Sequence, residues 1–268
     1  MARRLIFKLL EQSTKFGRIL HFSLILFLGL IFRLAGNKAS LKQIESSGVS
    51  DEWIAKFYNG NQFYFVGWKR CSRYIKGVDF AGLRLVRQYK LDSCSEKLST
   101  FIDIGANVGE VSLYFADRNV SVYSFEPDPN CFRALKKNLE NRSNVILFNI
   151  ALSNEDGFKK FYLKSDSADS SLHFVHGSEA SQSQVRKLDS FELDIQRDTC
   201  LKMDAEGHEP EVILGGVSTF SKIDIVSIDA GYEREKKATY RECIELLEKE
   251  FDCKHYENNI VLAMRRIE

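Results

Sequence analysis

The stretch that decides the fold is Phe101-Ile-Asp103-Ile-Gly105-Ala-Asn107-Val-Gly109-Glu110, followed closely by Tyr123-Ser-Phe125-Glu126-Pro127. The apolar run before Gly105 predicts a buried parallel strand over 100–104, and the two glycines allow a sharp turn into a helix predicted over 109–117. A second strand, predicted over 120–125, ends at Glu126, 21 residues after Gly105. An acid roughly 20 residues beyond such a turn binds the ribose in nucleotide-binding α/β units. The stretch therefore predicts a nucleoside site.

The polar residues of the turn indicate which nucleoside binds. A dinucleotide site uses G-x-G-x-x-G, with glycines where the pyrophosphate meets the helix N-terminus. Here Asp103 stands two residues before Gly105, and Asn107 takes the place of the middle glycine. A carboxylate at this strand end repels a pyrophosphate and suits a cationic amino or sulfonium group. The turn therefore favours S-adenosylmethionine over NAD, and a structural strand–turn–helix without a ligand is the remaining alternative.

Six blocks of sequence follow one another from about residue 80 to the C-terminus. They are Asp103-Ile-Gly-Ala-Asn-Val-Gly109, Phe125-Glu-Pro127, Leu135-Lys-Lys-Asn138, Ile150-Ala-Leu-Ser153, Val185-Arg-Lys-Leu-Asp189-Ser and Leu201-Lys-Met-Asp204-Ala-Glu206-Gly207-His-Glu209. In content and order they resemble the FkbM family of S-adenosylmethionine-dependent methyltransferases. The resemblance implies an α/β, Rossmann-like class I methyltransferase fold, with a doubly wound, mostly parallel seven-stranded sheet and a reversed C-terminal strand. One departure is Asp229-Ala230, where some family members have an acid followed by histidine.

Ligand sites of open parallel sheets lie beyond the carboxyl ends of the strands. With the resemblance, this rule implies that Asp103 faces the methionine portion of the donor, and that Glu126 binds its ribose. Pro127 is expected beside the adenine, and the backbone at Ala151 is expected to bond to it. The predicted cofactor-binding residues are Asp103, Gly105, Asn107, Gly109, Glu126, Pro127 and Ala151.

Three residues after the fourth core strand are candidates for catalysis: Asp204, Glu206 and His208. If the acceptor is a hydroxyl, a base must take its proton, and Asp204 is the first choice for positioning or deprotonating it. His208 has the more suitable unperturbed pKa for a base at neutral pH. The alternative for His208 is a solvent-facing position on the first helical turn. Glu209 is expected to cap that helix.

No metal site is expected, because neither the histidines nor the cysteines have metal-ligand spacing. The cysteines are scattered without a C-x-x-C pair, which is typical of reduced, structural thiols in a domain of this size. They are Cys71, Cys94, Cys131, Cys200, Cys243 and Cys253.

Charge is distributed unevenly along the 268 residues, although the formal net charge is only +1. Residues 1–42 contain eight basic residues and one acid, a net +7, so the remaining 226 residues carry −6. An acidic body disfavours binding to a phosphate backbone, and no nucleic-acid partner is expected. A small-molecule or glycan hydroxyl acceptor is expected instead.

The basic end also contains a 14-residue apolar run, Ile19 to Phe32, between Arg18 and Arg33. A spanning helix needs about 20 apolar residues, so this run is short for a span. The basic residues on both sides of it favour a helix held at an anionic membrane surface. We expect membrane contact through residues 1–36, with the protein cytoplasmic and either peripheral or anchored on the cytoplasmic face. A signal peptide and a buried or partner-binding helix are the alternatives.

The chain divides into three predicted parts. Residues 1–42 form a helical, membrane-anchoring segment, 43–98 an extension of turns, strands and a helix on the acceptor side, and 99–268 the S-adenosylmethionine-binding domain. Further strands are predicted at 144–150, 199–203 and 223–228, helices at 78–89, 129–140, 208–215 and 235–250, and a terminal hairpin around Asn258-Asn259. The polar stretch 165–184 is predicted to be a long loop that serves as a lid or binding segment.

The leading hypothesis is an S-adenosylmethionine-dependent methyltransferase that O-methylates a hydroxyl on a sugar, glycan precursor or other small metabolite; the resemblance alone supplies that acceptor class. One alternative is a membrane-tethered, non-catalytic scaffold of the same fold, which predicts no cofactor binding. Another is an NAD-linked oxidoreductase, which predicts a glycine at position 107, where Asn107 stands.

Overall fold

The computed structural model describes residues 15–92, 98–163, 170–173, 179–232, 234 and 237–266. The helices are α1 (Lys15–Leu34), α2 (Val78–Gln88), α3 (Glu110–Ala116), α4 (Pro129–Leu139), α5 (Glu209–Leu214), α6 (Val217–Phe220) and α7 (Tyr240–Leu247), with 3₁₀ helices at Trp68–Tyr74 and Leu188–Ser190. The strands are β1 (Leu41–Ser46), β2 (Glu52–Phe57), β3 (Gln62–Val66), β4 (Thr100–Ile104), β5 (Ser121–Phe125), β6 (Val145–Phe148), β7 (Ala151–Leu152), β8 (Gly157–Leu163), β9 (Glu179–Arg186), β10 (Thr199–Met203), β11 (Ile225–Asp229), β12 (Phe251–His255) and β13 (Ile260–Arg265).

The central sheet has seven strands in the order β12-β13-β11-β10-β4-β5-β6. Neighbouring strands from β11 to β6 are parallel, whereas β13 runs antiparallel to both β11 and β12. Every residue of β4 and of β10 is buried, as expected for the middle of a sheet covered on both faces. The prediction of a mostly parallel seven-stranded sheet with a reversed C-terminal strand is confirmed.

A second, three-stranded sheet, β7-β9-β8, corrects two predictions. Strand β6 ends at Phe148, and Ala151 pairs with Val185 of β9 instead of continuing β6. The predicted loop 165–184 is wrong at its end, because 179–184 belong to β9, which pairs with β8 along its full length. The serines and glutamines of β9 hide its strand character from a pattern of apolar residues. The other parts of that loop, 164–169 and 174–178, lie outside the described residues.

Other predicted boundaries differ from the observed ones by a few residues. Helix α7 is shorter than the predicted 235–250, since it spans 240–247 within the described residues. The hairpin β12–β13 turns at 256–259 around Asn258-Asn259, as predicted.

The N-terminal part packs directly on the central sheet. Strands β1, β2 and β3 form an antiparallel sheet with a turn at Asn59-Gly60, and β1 begins at Leu41, before the predicted boundary at 42/43. One hydrophobic core joins Ile25 of α1, Phe65 of β3 and Phe101 of β4. A second core, on the other face of the central sheet, contains α5 and α7. The N-terminal part can therefore supply side chains to a site at the sheet edge.

Candidate active site

A cavity of about 320 Å³ lies at the carboxyl ends of β4, β5 and β10. Its volume falls in the range of small-molecule sites, and its place is the one that the topology of an open parallel sheet selects. Six of the predicted site residues on its wall come from these strand ends and one from β7. With His208, eight of the ten predicted site residues line the cavity: Gly105, Asn107, Glu126, Pro127, Ala151, Asp204, Glu206 and His208.

Gly105 is required where β4 turns into the loop. Its φ is +72°, and a Cβ atom there would lie 2.0 Å from the carbonyl oxygen of Asp204. The Gly105 and Ala106 amides both donate to the carbonyl of Phe125 at 3.0 Å. The glycine therefore lets three strand ends approach each other and form the floor of the cavity.

Gly109 has a different role from the one predicted. It does not line the cavity, and a Cβ atom there would lie 2.6 Å from Leu135 Cδ1. With a φ of +93° at the start of α3, Gly109 allows α4 to pack closely against the loop. The close packing of α4 against the loop therefore explains why position 109 is a glycine.

Glu126 shapes the loop from the end of β5. Its side chain is buried and accepts hydrogen bonds from the Asn107 amide at 2.7 Å and the Asp128 amide at 2.8 Å. Burial raises the pKa of Glu126 to about 8, although these two amides act in the opposite direction. The ionised form of this carboxyl has about four lone-pair positions, so two remain to accept hydroxyl donors from the cavity once the proton is lost.

Asp103 lies beneath the cavity and does not form its wall. Its Oδ2 accepts a hydrogen bond from Ser112 Oγ at 2.6 Å, and its Oδ1 lies 3.2 Å from Lys202 Nζ. Burial opposes the charge of Lys202, but the neighbouring carboxylate of Asp103 raises the Lys202 pKa overall. Lys202 in turn donates to the Gly105 carbonyl at 2.7 Å. The structure thus places Asp103 as the counter-ion of Lys202, and its contact with the methionine portion stays a prediction.

One side of the cavity is apolar. Pro127, Ile150, Ala151 and Leu152 line it beside Phe125. Transfer of a flat heteroaromatic ring from water to such an apolar surface costs little free energy. Because Pro127 follows Glu126 directly, this wall lies next to the acid, as an adenosine with its ribose requires.

Asp204 lines the cavity beside Gly105 of the glycine loop and is held by a residue that sequence reasoning did not identify. Its Oδ2 accepts a hydrogen bond from the Tyr89 hydroxyl at 2.7 Å. Burial, followed by the charge of Asp204, raises the pKa of Tyr89 well above its ordinary value, so the phenol stays a donor. Among the described residues, no hydrogen-bond donor reaches Asp204 Oδ1.

Glu206 belongs to the tight loop between β10 and α5, and Glu209 is the first residue of α5. Glu206 has a left-handed backbone, with a φ of +51°, and its carbonyl accepts from Ser171 Oγ at 2.8 Å. Glu209 is fully buried, and its Oε1 accepts from the amides of Ala205 at 3.1 Å and Gly207 at 2.9 Å. Burial raises the pKa of Glu209 to about 7. Glu209 therefore holds the loop that precedes α5 rather than capping the helix itself.

His208 is buried, so the solvent-facing alternative is wrong. Its Nε2 lies 3.0 Å from Ser153 Oγ, while its Nδ1 lies 3.4 Å from His173 Nε2 and 3.6 Å from Glu211 Oε2. Burial lowers the pKa of His208 to about 4, against the opposing charge of Glu211. The imidazole is therefore neutral at pH 7, and both of its nitrogens face protein groups.

The N-terminal part adds a basic wall that carries no sequence motif. Arg70 and Arg73 of the first 3₁₀ helix and Arg84 of α2 all line the cavity. Arg70 donates to Asn107 Oδ1 at 2.5 Å, and Arg73 lies 3.8 Å from Glu110 Oε1. These contacts join the N-terminal part to the glycine loop.

Within the part of the chain that the structure describes, no group of three or more His, Cys, Asp or Glu side chains is placed to hold a metal ion. The five described cysteines are free thiols, and Cys94 lies outside the described residues.

Six parallel strands, one reversed strand and a cavity bounded by a glycine loop and the acid after β5 define a class I, S-adenosylmethionine-dependent methyltransferase. The model of the methyltransferase FkbM domain matches residues 103–255, more than half of the chain. The chain therefore belongs to the FkbM methyltransferase family, which confirms the resemblance found in the sequence.

Individual relatives are distant. The hexuronic acid methyltransferase AglP of Haloferax volcanii is 29% identical over 138 residues, which cover 49% of this chain and 56% of that protein. Among solved structures, Aeropyrum pernix fibrillarin with natively bound S-adenosyl-L-methionine is 11% identical, with 84% of this chain and 100% of that chain covered and a TM-score of 0.43. The ribosomal protein L11 methylase of Lactobacillus delbrueckii subsp. bulgaricus is 14% identical, with 69% and 79% covered and a TM-score of 0.41.

Proposed function

We propose that this methyltransferase acts on a hydroxyl oxygen of a sugar, a glycan precursor or another small metabolite. The observation that carries the proposal is Asp204, whose carboxylate lines the cavity with one oxygen fixed by Tyr89 and the other turned away from any described donor. A carboxylate so placed can receive the proton of an acceptor hydroxyl. The sugar relative supports the acceptor class, because AglP is named for methylation of a hexuronic acid.

The cavity suits S-adenosylmethionine in three respects. Glu126 has free lone-pair positions for ribose hydroxyls, the surface at Pro127 and Ala151 accepts an adenine ring, and the Gly105–Asn107 turn leaves backbone exposed beside them. When bound, S-adenosylmethionine supplies a methyl group on a sulfonium whose sulfur leaves with the bonding electron pair, as S-adenosylhomocysteine.

The residues around the acceptor then have different roles in the reaction. Asp204 accepts the hydroxyl proton while the acceptor oxygen bonds to the methyl carbon, and Tyr89 keeps the carboxylate in place. Positioning contributes most, because a sulfonium needs no acid to leave. His208 positions the β7 end through Ser153, since its nitrogens already face protein groups. Glu206 is the second candidate for contact with the acceptor.

The experiment measures methyl transfer from radiolabelled S-adenosylmethionine to a panel of sugars and glycosides. For an accepted substrate, we expect Asp204→Asn to lower kcat about a hundredfold or more, with the affinity for S-adenosylhomocysteine unchanged. Asp252→Asn, at a side chain that is 76% exposed on β12, is the matched control. Full activity of Asp204→Asn, with loss in Glu206→Gln, would contradict the role given to Asp204.

A further inference from the structure

The basic wall of the cavity consists of Arg70, Arg73 and Arg84. It comes from the N-terminal part and meets the glycine loop through Arg70, whereas the apolar wall beside Glu126 comes from the ends of β5 and β7. Close packing fixes this wall: a Cβ atom at Gly82 of α2 would lie 2.8 Å from the Glu110 carbonyl of α3. The backbone of α2, which carries Arg84, is therefore held close to α3, next to the glycine loop.

The three arginines differ in the hydrogen-bond and ion-pair partners of their guanidinium groups. Arg70 donates to the neutral amide oxygen of Asn107. Arg73 lies 3.8 Å from Glu110 Oε1, an oxygen that already accepts from the Tyr74 hydroxyl at 2.8 Å. Arg84 forms no hydrogen bond or ion pair with any residue that the structure describes. Arg84 lines the cavity and is exposed, so its charge has no described counter-ion and its donors are open to a ligand or to water.

A planar guanidinium matches the two oxygens of a carboxylate or phosphate, and such a charge-assisted pair is stronger than a neutral hydrogen bond. We propose that Arg84, with Arg73 beside it, binds an anionic group on the acceptor, so that the enzyme selects acidic sugars or other acidic hydroxyl compounds. This inference rests on the proposed function. The same chemistry would also bind the carboxylate of the donor's own amino-acid portion, and the experiment separates these two sources.

Calorimetry on the full chain, saturated with S-adenosylhomocysteine, provides the test. The probes are D-glucuronate, D-glucose as its neutral counterpart, and inorganic phosphate. The variants are Arg84→Gln and, as a matched control on the same helix, Arg87→Gln, whose side chain is exposed and does not line the cavity. We expect glucuronate to bind more tightly than glucose, and Arg84→Gln to weaken glucuronate about tenfold or more. Glucose binding and the Arg87→Gln variant should be unaffected.

Three results would overturn this inference. One is wild-type protein that binds glucuronate and phosphate no better than glucose. Another is equal weakening in Arg84→Gln and Arg87→Gln. The third is a tenfold loss of S-adenosylhomocysteine affinity in Arg84→Gln, which would assign the arginine to the donor. Failure of wild-type protein to bind S-adenosylhomocysteine would instead contradict the proposed function itself.

A second, independent observation concerns the outer face of α1. Within it, the stretch Gly17–Leu34 is long and apolar enough to cross a membrane by length and composition. Its exposed large side chains recur every three or four residues, along one face of about 20 Å. They are Ile19, Leu20, Leu24, Phe27, Leu30, Ile31 and Leu34.

The opposite face of α1 is docked on the protein. A Cβ atom at Gly29 would lie 2.2 Å from the Leu41 carbonyl, so helix and strand are in close contact. Phe22 packs edge-on against Trp53, and His21 against Trp68 of the 3₁₀ helix that carries Arg70. A spanning orientation would require the loss of these contacts, whereas an orientation in the plane of the surface keeps them.

Cations flank the apolar face at both ends. Arg18 lies over the rings of Trp53 and Trp68, Arg33 over Tyr58, and Lys76 over Phe32. We propose that α1 lies in the interface of an anionic lipid membrane, with its exposed apolar face among the acyl chains and these cations at the headgroups. The contact of α1 with the 3₁₀ helix then brings the basic wall of the cavity near the same surface.

Flotation of the full chain with phosphatidylcholine vesicles, with and without phosphatidylglycerol, tests this second proposal. We expect binding to the anionic vesicles, and its loss in Phe27→Glu/Ile31→Glu. Phe158→Glu, at an equally apolar side chain that is 72% exposed on β8, is the control. Absence of vesicle binding by the wild type would overturn the proposal. So would a dimer in analytical ultracentrifugation that Phe27→Glu/Ile31→Glu dissociates without any vesicle binding, since a second copy would then cover the face.

Discussion

At the scale of single residues, Gly105 has two separate reasons to be glycine. Its backbone is left-handed, and the carbonyl of Asp204 occupies the space where a Cβ atom would be. The first reason alone costs an alanine about 1–2 kcal/mol. The second adds a contact with backbone that only a shift of β4 against β10 can relieve.

Gly105→Ala is therefore expected to lower the free energy of unfolding by clearly more than this, and to weaken S-adenosylhomocysteine binding. Gly36→Ala is the matched control, because Gly36 has a φ of +95° and nothing within 4 Å of its Cβ position. Urea unfolding of both variants measures the difference. Equal losses in the two variants would show that the contact with Asp204 contributes nothing.

His208 is a second residue whose behaviour follows from its surroundings. Its pKa of about 4 in the folded protein lies below the ordinary value of 6.5. The unfolded chain therefore takes up a proton as the pH falls through 6.5, while the folded protein does so only near pH 4. Stability from this group is complete above pH 6.5 and is lost between pH 6.5 and 4.

The loss amounts to about 3 kcal/mol over that range, from the free energy per pKa unit. We expect the difference in unfolding free energy between wild type and His208→Asn to shrink by this amount from pH 7 to pH 4. Urea unfolding at several pH values measures it, and other titrating groups largely cancel in the difference. A difference that stays constant with pH would contradict the burial of a neutral imidazole.

At the scale of elements, Asn138 joins three of them. From α4 it accepts a hydrogen bond from the Tyr64 amide of β3 and donates to the Tyr64 carbonyl, each at 2.8 Å. It also donates to the Val108 carbonyl of the glycine loop at 2.8 Å. A single buried amide thus satisfies the edge of the N-terminal sheet and fixes the loop beside the cavity.

Asn138→Ala is expected to lower the free energy of unfolding by roughly 3 kcal/mol, since it leaves backbone groups of Tyr64 and Val108 without partners. The exposed Asn258, whose amide makes one long hydrogen bond of 3.4 Å to the Gln88 carbonyl, provides the control variant Asn258→Ala. Urea unfolding compares the two. A loss no larger than that of the control would mean that water or a rearranged loop replaces the Asn138 amide.

The sequence predicted the elements whose signal is local. Strands β4 and β10 have the predicted bounds, 100–104 and 199–203, because mostly apolar runs end there at Gly105 and Asp204. Strand β9 was missed because its side chains are mostly serine, glutamine and glutamate. Its pairing with β8 depends on backbone hydrogen bonds that a pattern of apolar residues does not reveal.

Some residues of the candidate site were likewise predictable from local sequence, and others required the tertiary structure. Glu126 and Asp204 follow directly from strand ends and line the cavity as predicted. Tyr89 bonds to Asp204 across 115 positions of sequence, and Arg84 has no motif, so both required the tertiary structure. The contact of Asp103 with the donor stays a prediction, and a strand pattern does not reveal that Asp103 pairs with Lys202, which lines the cavity.

At the scale of the whole molecule, the cavity belongs to two parts of the chain. The sheet supplies the glycine loop, Glu126 and Asp204, to which we assign donor binding and proton transfer in the proposed function. The N-terminal part supplies Tyr89 and the basic wall, and it also carries α1. Acceptor choice and membrane contact are thus expected to lie on one part, and methyl transfer on the other.

The central claim is that this cavity holds the methyl donor, and calorimetric titration of the purified protein with S-adenosylhomocysteine tests it most directly. We predict binding at micromolar concentration, weakened about tenfold or more by Glu126→Gln and unchanged by Glu140→Gln at an exposed helix end. Binding that Glu126→Gln leaves intact would contradict the ribose site. No binding by correctly folded protein would contradict the claim as a whole and favour a non-catalytic scaffold.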